Sequence, residues 1–294
     1  MSRRPALAAL CALVILAGCE PVSSTSRPGT PRPGTTAEPA GPTAAPVVTP
    51  GTAGERGVIQ GRVTFADGRP IAGAEVRVIG YTGTVGQQHD DDLVTDADGR
   101  YRVEVEDGLY EVSAEALIPF EGQQFRLPLH PVDGVCEQEY SSEGIAEDWV
   151  LQLTGEHVCL PGFDRNSEDS YYGAQVHLSP DLVRVAPADA IVEVTFLPEV
   201  LADGTAGSGF TLQRTVAALG ATTGAVGQTG TLVGIPLGRY TVSAVLVSGG
   251  TSTPLVVQSQ DAPSGAAQTQ LTFRAAEFFP YGIQDQTLWV YAAG

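Results

Sequence analysis

Thiols, imidazoles and carboxylates are the groups through which this sequence could do chemistry, and their placement narrows what that chemistry is. The 294 residues contain four cysteines and four histidines. Cys19 follows Leu16, Ala17 and Gly18 at the end of an apolar run. His89, His130, His157 and His177 are scattered, and none stands in the His-x-x-x-His spacing that zinc enzymes use. Gly-x-Ser-x-Gly is absent, since Gly207-Ser208-Gly209 lacks the spacing. All 16 basic residues are arginine. Without lysine the chain can form neither a lysine Schiff base nor a phosphate-loop contact, nor a lysine–asparagine isopeptide bond. With 34 acidic residues, carboxylate pairs are too plentiful for one to stand out for glycoside hydrolysis. The chain is expected to be non-enzymatic, with no cofactor.

Two acidic loops have the oxygen density that calcium needs. One is Asp90-Asp91-Asp92 with Asp96 and Asp98; the other holds Asp164, Asn166, Glu168 and Asp169. Neither has the spacing of an EF-hand, and Asp-x-Asp-Gly serves a β-turn equally well. Tyr171 and Tyr172 beside the second loop are the aromatic pair best placed to stack on a sugar ring. Trp149 and Trp289 lie in strand-like runs and read as core.

Acidic residues outnumber basic ones 34 to 16, for a net charge of −18. That excludes the basic footprint of a nucleic-acid binder and adhesion to anionic lipid by charge. The N-terminus supplies an address instead. Arg3 and Arg4 precede the apolar run Ala6 to Ala17, which is shorter than the ~20 residues that span a bilayer and fits the core of a secretory signal. Leu16-Ala17-Gly18-Cys19 resembles a bacterial lipoprotein signal. The resemblance implies cleavage between Gly18 and Cys19 and a lipid on the Cys19 sulfur, so the expected location is the bacterial envelope, facing the periplasm or the exterior.

With residues 1–18 as the signal, residues 19–56 form a second material, rich in Pro, Thr, Ala and Gly and without apolar period. Such a stretch buries no core. Held extended by proline at ~3.1 Å per residue, it is a tether of up to about 100 Å. Export also fits the remaining thiols. Cys11 leaves with the signal, and Cys136 and Cys159 are left in an oxidising compartment, where one disulfide is the economical reading. A metal pair is the alternative, with His157 the only histidine close to either.

From Gly57 the pattern turns to period two. Ile59, Gly61, Val63 and Phe65 alternate with polar residues, and Asp67-Gly68-Arg69-Pro70 turns the chain. Val76 and Val78 follow. Asp96-Ala97-Asp98-Gly99 turns into Tyr101, Val103 and Val105, and Asp107-Gly108 into Tyr110, Val112 and Ala114. At least one of Gly99 and Gly108 is expected at positive φ, with Tyr101 and Tyr110 pointing inward. Short strands at this spacing, with no amphipathic helix between them, predict an all-β fold of antiparallel sandwiches.

The residues from Gly61 to Val76, with Gly73-Ala74 inside them, and then Thr95-Asp96-Ala97-Asp98-Gly99-Arg100-Tyr101 and Gly108-Leu109-Tyr110-Glu111-Val112 resemble the carboxypeptidase regulatory-like domain. The resemblance covers about residues 57–130 and implies a transthyretin-like sandwich that is itself non-catalytic. The first module is assigned to 57–160 and a second β-rich module to 161–294. Two echoes suggest duplication: Val63-Thr64-Phe65 returns as Val194-Thr195-Phe196, and the Gly108–Ala114 pattern returns at Gly238–Ala244. Strands are expected at Ile191–Leu197, Thr253–Val257, Leu271–Arg274 and Thr287–Tyr291, while Phe210–Leu219 fits a strand or a helical face.

The functional expectation is a lipid-anchored envelope protein that presents two sandwiches for structural or binding work, its partners being the membrane through the lipid and an envelope protein or glycan. The alternatives are a carbohydrate-binding module and a regulatory partner of an envelope peptidase.

Overall fold

Period-two alternation from Val58 onward becomes strand after strand in the computed structural model, which describes residues 54–81, 88–157, 159, 170–221, 226–276 and 282–292. The fold is all-β. In the first sandwich the strands are β1 (Val58–Phe65), β2 (Glu75–Tyr81), β3 (Gln88–Val94), β4 (Arg100–Glu104), β5 (Leu109–Phe120), β6 (Gln123–Pro128), β7 (His130–Pro131), β8 (Glu139–Tyr140), β9 (Ile145–Ala146) and β10 (Trp149–Leu151). One sheet runs β4-β1-β10-β7 with β9 on β1; the other runs β3-β2-β5-β6 with β8 on β5. The short pair β11 (Gly155–Glu156) and β12 (Tyr171–Tyr172) leads on.

The second sandwich holds β13 (Ala174–Leu178), β14 (Ile191–Leu201), β15 (Phe210–Thr215), β16 (Thr231–Ile235), β17 (Gly238–Ser248), β18 (Thr251–Ser259), β19 (Thr269–Thr272) and β22 (Gln286–Ala292). Between β19 and β22 stands a small hairpin of β20 (Arg274–Ala275) and β21 (Ile283–Gln284). Phe210–Leu219 resolves both ways: β15 ends at Thr215, whose side chain caps the single turn α1 (Val216–Leu219).

Apart from β1 with β9, the pairings of the first sandwich return one by one in the second. β1 with β4 becomes β13 with β16, antiparallel. β1 with β10 becomes β13 with β22, parallel. β2 lies between β3 and β5 as β14 lies between β15 and β17. β6 and β8 on β5 become β18 and β19 on β17. The β7–β10 pair becomes β18–β22. β18 thus does alone what β6 and β7 share: residues 251–254 pair with β17 and residues 255–259 with β22, so the strand passes from one sheet to the other.

This equivalence assigns one sequence echo and rejects the other. The Gly108–Ala114 pattern lies on β5 and its echo on the matching strand β17. Val63-Thr64-Phe65 lies on β1, whereas Val194-Thr195-Phe196 lies on β14, the counterpart of β2.

Alternate residues of the long strands point into the cores: Val76 and Val78 on β2, Tyr110 through Ile118 on β5, Val192, Val194 and Phe196 on β14, Tyr240 and Val242 on β17. Each large apolar side chain removed from water contributes about 1.5–3 kcal/mol. The buried residues of both sandwiches form one contiguous cluster. Hydrogen bonds cross the junction as well. Arg69 Nη2 donates to the Asp203 carbonyl at 2.7 Å and Thr154 Oγ1 to the Gly234 carbonyl at 2.5 Å. Arg239 Nη1 meets Glu121 Oε1 at 2.9 Å, and Ala275 N donates to Gln123 Oε1 at 2.9 Å.

Candidate functional site

The motif residues of the first sandwich form a hydrogen-bonded clasp. Thr95 is buried; its Oγ1 donates to the Ile71 carbonyl at 2.7 Å and accepts from Ala74 N at 2.9 Å. Asp96 Oδ1 accepts from Asp98 N at 2.9 Å and Arg100 N at 2.8 Å, which closes the turn into β4. Gly99 has φ +74, and a Cβ there would strike the Val63 carbonyl. Gly108 is not among the positive-φ glycines. Asp96 is therefore occupied by turn chemistry. Among the described residues no group of three or more His, Cys, Asp or Glu side chains is placed to hold a metal ion. Asp164, Asn166, Glu168 and Asp169 lie outside the described residues, as do Gly18 and Cys19.

A second polar knot sits between β9 and β10. Both strands run parallel to β1 in one register, Ile59 with Ile145 and Val63 with Trp149. Between them Asp148 Oδ1 takes the Arg62 N–H at 2.7 Å. The Glu147 carbonyl instead accepts from Tyr101 Oη at 2.6 Å, and that hydroxyl in turn accepts from Trp149 Nε1 at 3.3 Å. Gly61 makes this possible, since a Cβ there would meet the Glu147 carbonyl. The Glu147 carboxyl is buried with Ile145 and Trp149. Burial first, then the nearby charges of Glu139 and Asp133, push its pKa up to about 9, so it is mostly protonated at neutral pH.

The disulfide joins Cys136 to Cys159, with Cα atoms 5.2 Å apart. Beside it is an aromatic cluster that the sequence reading missed. The His157 ring stacks on Tyr172 at 4.3 Å between centroids, and the His130 ring meets Tyr172 edge-on at 5.6 Å. Tyr172 Oη lies 3.3 Å from His130 Nδ1 and donates to the Leu129 carbonyl at 3.2 Å. Burial, then the charge of His130, lower the His157 pKa to about 4. Tyr172 is 1% exposed, which corrects its assignment to a sugar-stacking rim. It shares parity with Ala174, Val176 and Leu178, and that alternation carries it into the core. Tyr171 is half-buried. Trp149 is core, as expected, while Trp289 is only partly buried on the opposite parity from Leu288 and Val290.

The geometry defines an all-β class of architecture: two sandwiches of matching topology, in which the polar residues described above serve turns and junctions. Residues 58–146 match the family model of the carboxypeptidase regulatory-like domain, which ends just before β10. No curated protein matches the chain. Among solved structures, the chain is similar to the Bacillus anthracis TIE protein, at 11% identity and a TM-score of 0.26, over 80% of this chain and 44% of that one. It thus spans less than half of that structure's length. The shaft pilin spaA from Lactobacillus rhamnosus GG gives 11% identity and 0.21 over 83% and 99% of the two chains. BcpA, the major pilin subunit of Bacillus cereus, gives 11% and 0.23 over 81% and 85%. Similarity at this level does not extend to function.

Proposed function

We propose that the chain is a non-enzymatic, lipid-anchored protein of the bacterial envelope, and that its two sandwiches act as one rigid body displayed on an extended tether. The observation that carries this reading is the junction: one contiguous core and several cross-sandwich hydrogen bonds join modules whose motif residues serve the fold. Rigid display suits structural or binding work and asks for no catalytic group. No helix among the described residues is long and apolar enough to cross a membrane. Attachment is assigned to a lipid on Cys19 because Leu16-Ala17-Gly18-Cys19 resembles a lipoprotein signal. Cys19→Ser is expected to abolish incorporation of a labelled lipid and to move the protein from the membrane to the soluble fraction. Undiminished membrane retention of the variant would refute the anchor. Of the alternatives, glycan binding at Tyr171 and Tyr172 is disfavoured by the buried Tyr172 ring. A regulatory partnership with an envelope peptidase predicts that a peptidase co-purifies with the chain.

A further inference from the structure

The outer face of the β3-β2-β5-β6 sheet carries a row of side chains that the fold does not use. Tyr81 on β2 is the register partner of Leu109 on β5, and Leu109 is the partner of Tyr140 on β8. Cross-strand partners share a face. With neighbouring strands ~4.8 Å apart, the two tyrosines stand about 10 Å from each other across Leu109. Tyr81 is 48% exposed and Tyr140 66%, more than the sheet needs for its own packing. The next row in register is Asp90, Ile79 and Glu111.

The surroundings are acidic. Two exposed arginines are present, Arg77 on Asp90 at 3.2 Å and Arg56 on Asp107 at 2.9 Å. Burial, then the charges of Glu106, Asp91 and Asp107, raise the phenol pKa of Tyr110, whose ring lies on the core side of β5.

We propose that the Tyr81–Leu109–Tyr140 row docks an extended polypeptide segment bearing arginine or lysine at regular spacing. The aliphatic stems of such residues lie on apolar surface while their charged heads stand over tyrosine ring faces and reach the adjacent carboxylates. Charge complementarity selects this occupant: a face with Glu111 beside its rings, on a chain of net charge −18, attracts a cation and repels an anionic ligand. The spacing agrees. In polyproline geometry three residues advance ~9.3 Å and return to the same face, so a basic residue at every third position meets both rings. The proposal rests on the reading of the chain as a binding protein and not on the anchor.

The test is calorimetric titration of the full exported chain, released as Cys19→Ser, with a peptide of Arg-Pro-Pro repeats and with the same peptide carrying glutamine for arginine. The arginine peptide is expected to bind and the glutamine peptide not to. Tyr81→Ala combined with Tyr140→Ala is expected to weaken binding by on the order of tenfold, because two exposed cation–π contacts are lost. Both residues are exposed, so the melting temperature checks that the variant stays folded. Glu111→Gln is expected to weaken binding several-fold, more at low salt than at physiological salt. Absence of binding would overturn the proposal. So would equal binding by the double tyrosine variant, which would mark non-specific charge attraction. Tyrosine-dependent binding of a neutral cello- or chito-oligosaccharide in place of the peptide would overturn it in favour of a glycan.

Discussion

Tyr110 and Tyr240 occupy equivalent places in the two sandwiches and make the same hydrogen bond. Tyr110 Oη donates to the Glu106 carbonyl at 3.0 Å and Tyr240 Oη to the Pro236 carbonyl at 2.5 Å, each four residues upstream. Both rings are buried. The hydroxyl ties down the turn that enters the strand, as in the tyrosine corners of other sandwiches. Tyr110→Phe and Tyr240→Phe should each destabilise the protein by about 1–2 kcal/mol, since each leaves a carbonyl without its donor. Because the cores are contiguous, both should shift one common transition in chemical denaturation. Two separate transitions would show that the sandwiches unfold independently.

The turn before β4 should be far less tolerant than the turn before β5. Gly99 sits at φ +74 with its Cβ direction blocked by the Val63 carbonyl, whereas Gly108 is not at positive φ. Gly99→Val is expected to cost upwards of ~2 kcal/mol, combining left-handed strain with a backbone clash. Gly108→Val should cost clearly less. Thermal melts of the two variants side by side test the order, and similar losses would contradict it.

Glu147 gives a pH dependence of definite sign. Its folded pKa of about 9 lies above the unfolded value near 4.5, so the folded state favours the protonated carboxyl. The associated stability is fully present below pH ~4.5 and is lost as the pH rises through about 9. Glu147→Gln keeps the shape without the ionisation. Its melting temperature relative to wild type is expected to rise steadily from pH 5 to pH 9. A difference that does not change with pH would mean that the carboxyl is ionised in the fold.

The Cys136–Cys159 bridge closes a loop across 23 positions of sequence. Removing it as Cys136→Ser with Cys159→Ser should lower stability by about 3 kcal/mol through the unfolded state. Urea denaturation with and without reductant measures it. Wild type under reducing conditions should coincide with the double variant.

Strand positions were legible in the sequence because alternation and turn residues are local signals. Gly99 announced its turn, and the Gly-x-Tyr-x-Val pattern found its true counterpart on β17. The Val-Thr-Phe echo misled because alternation alone fits any half-buried strand, and it matched β1 to the counterpart of β2. The tyrosine pattern held because it encodes a specific bond as well as a period. Parity was the neglected signal at the polar sites. Glu147 alternates with Ile145, Trp149 and Leu151, and Tyr172 with Ala174 and Val176. Each therefore faces inward despite a residue type that suggested a surface. The Tyr81–Leu109–Tyr140 row could not be read from sequence, because it depends on the register of three strands.

Each sandwich places its first strand beside its last in parallel, β1 with β10 and β13 with β22. This has a mechanical consequence. When the two ends of such a module are drawn apart, the neighbouring strands slide past each other, and the evenly spaced bonds of a parallel ladder take the load together. A hairpin pulled at its open end peels one bond at a time. Force entering β1 from its N-terminal side therefore meets a shear clamp, and the parallel pair of the second sandwich sets another in series behind it.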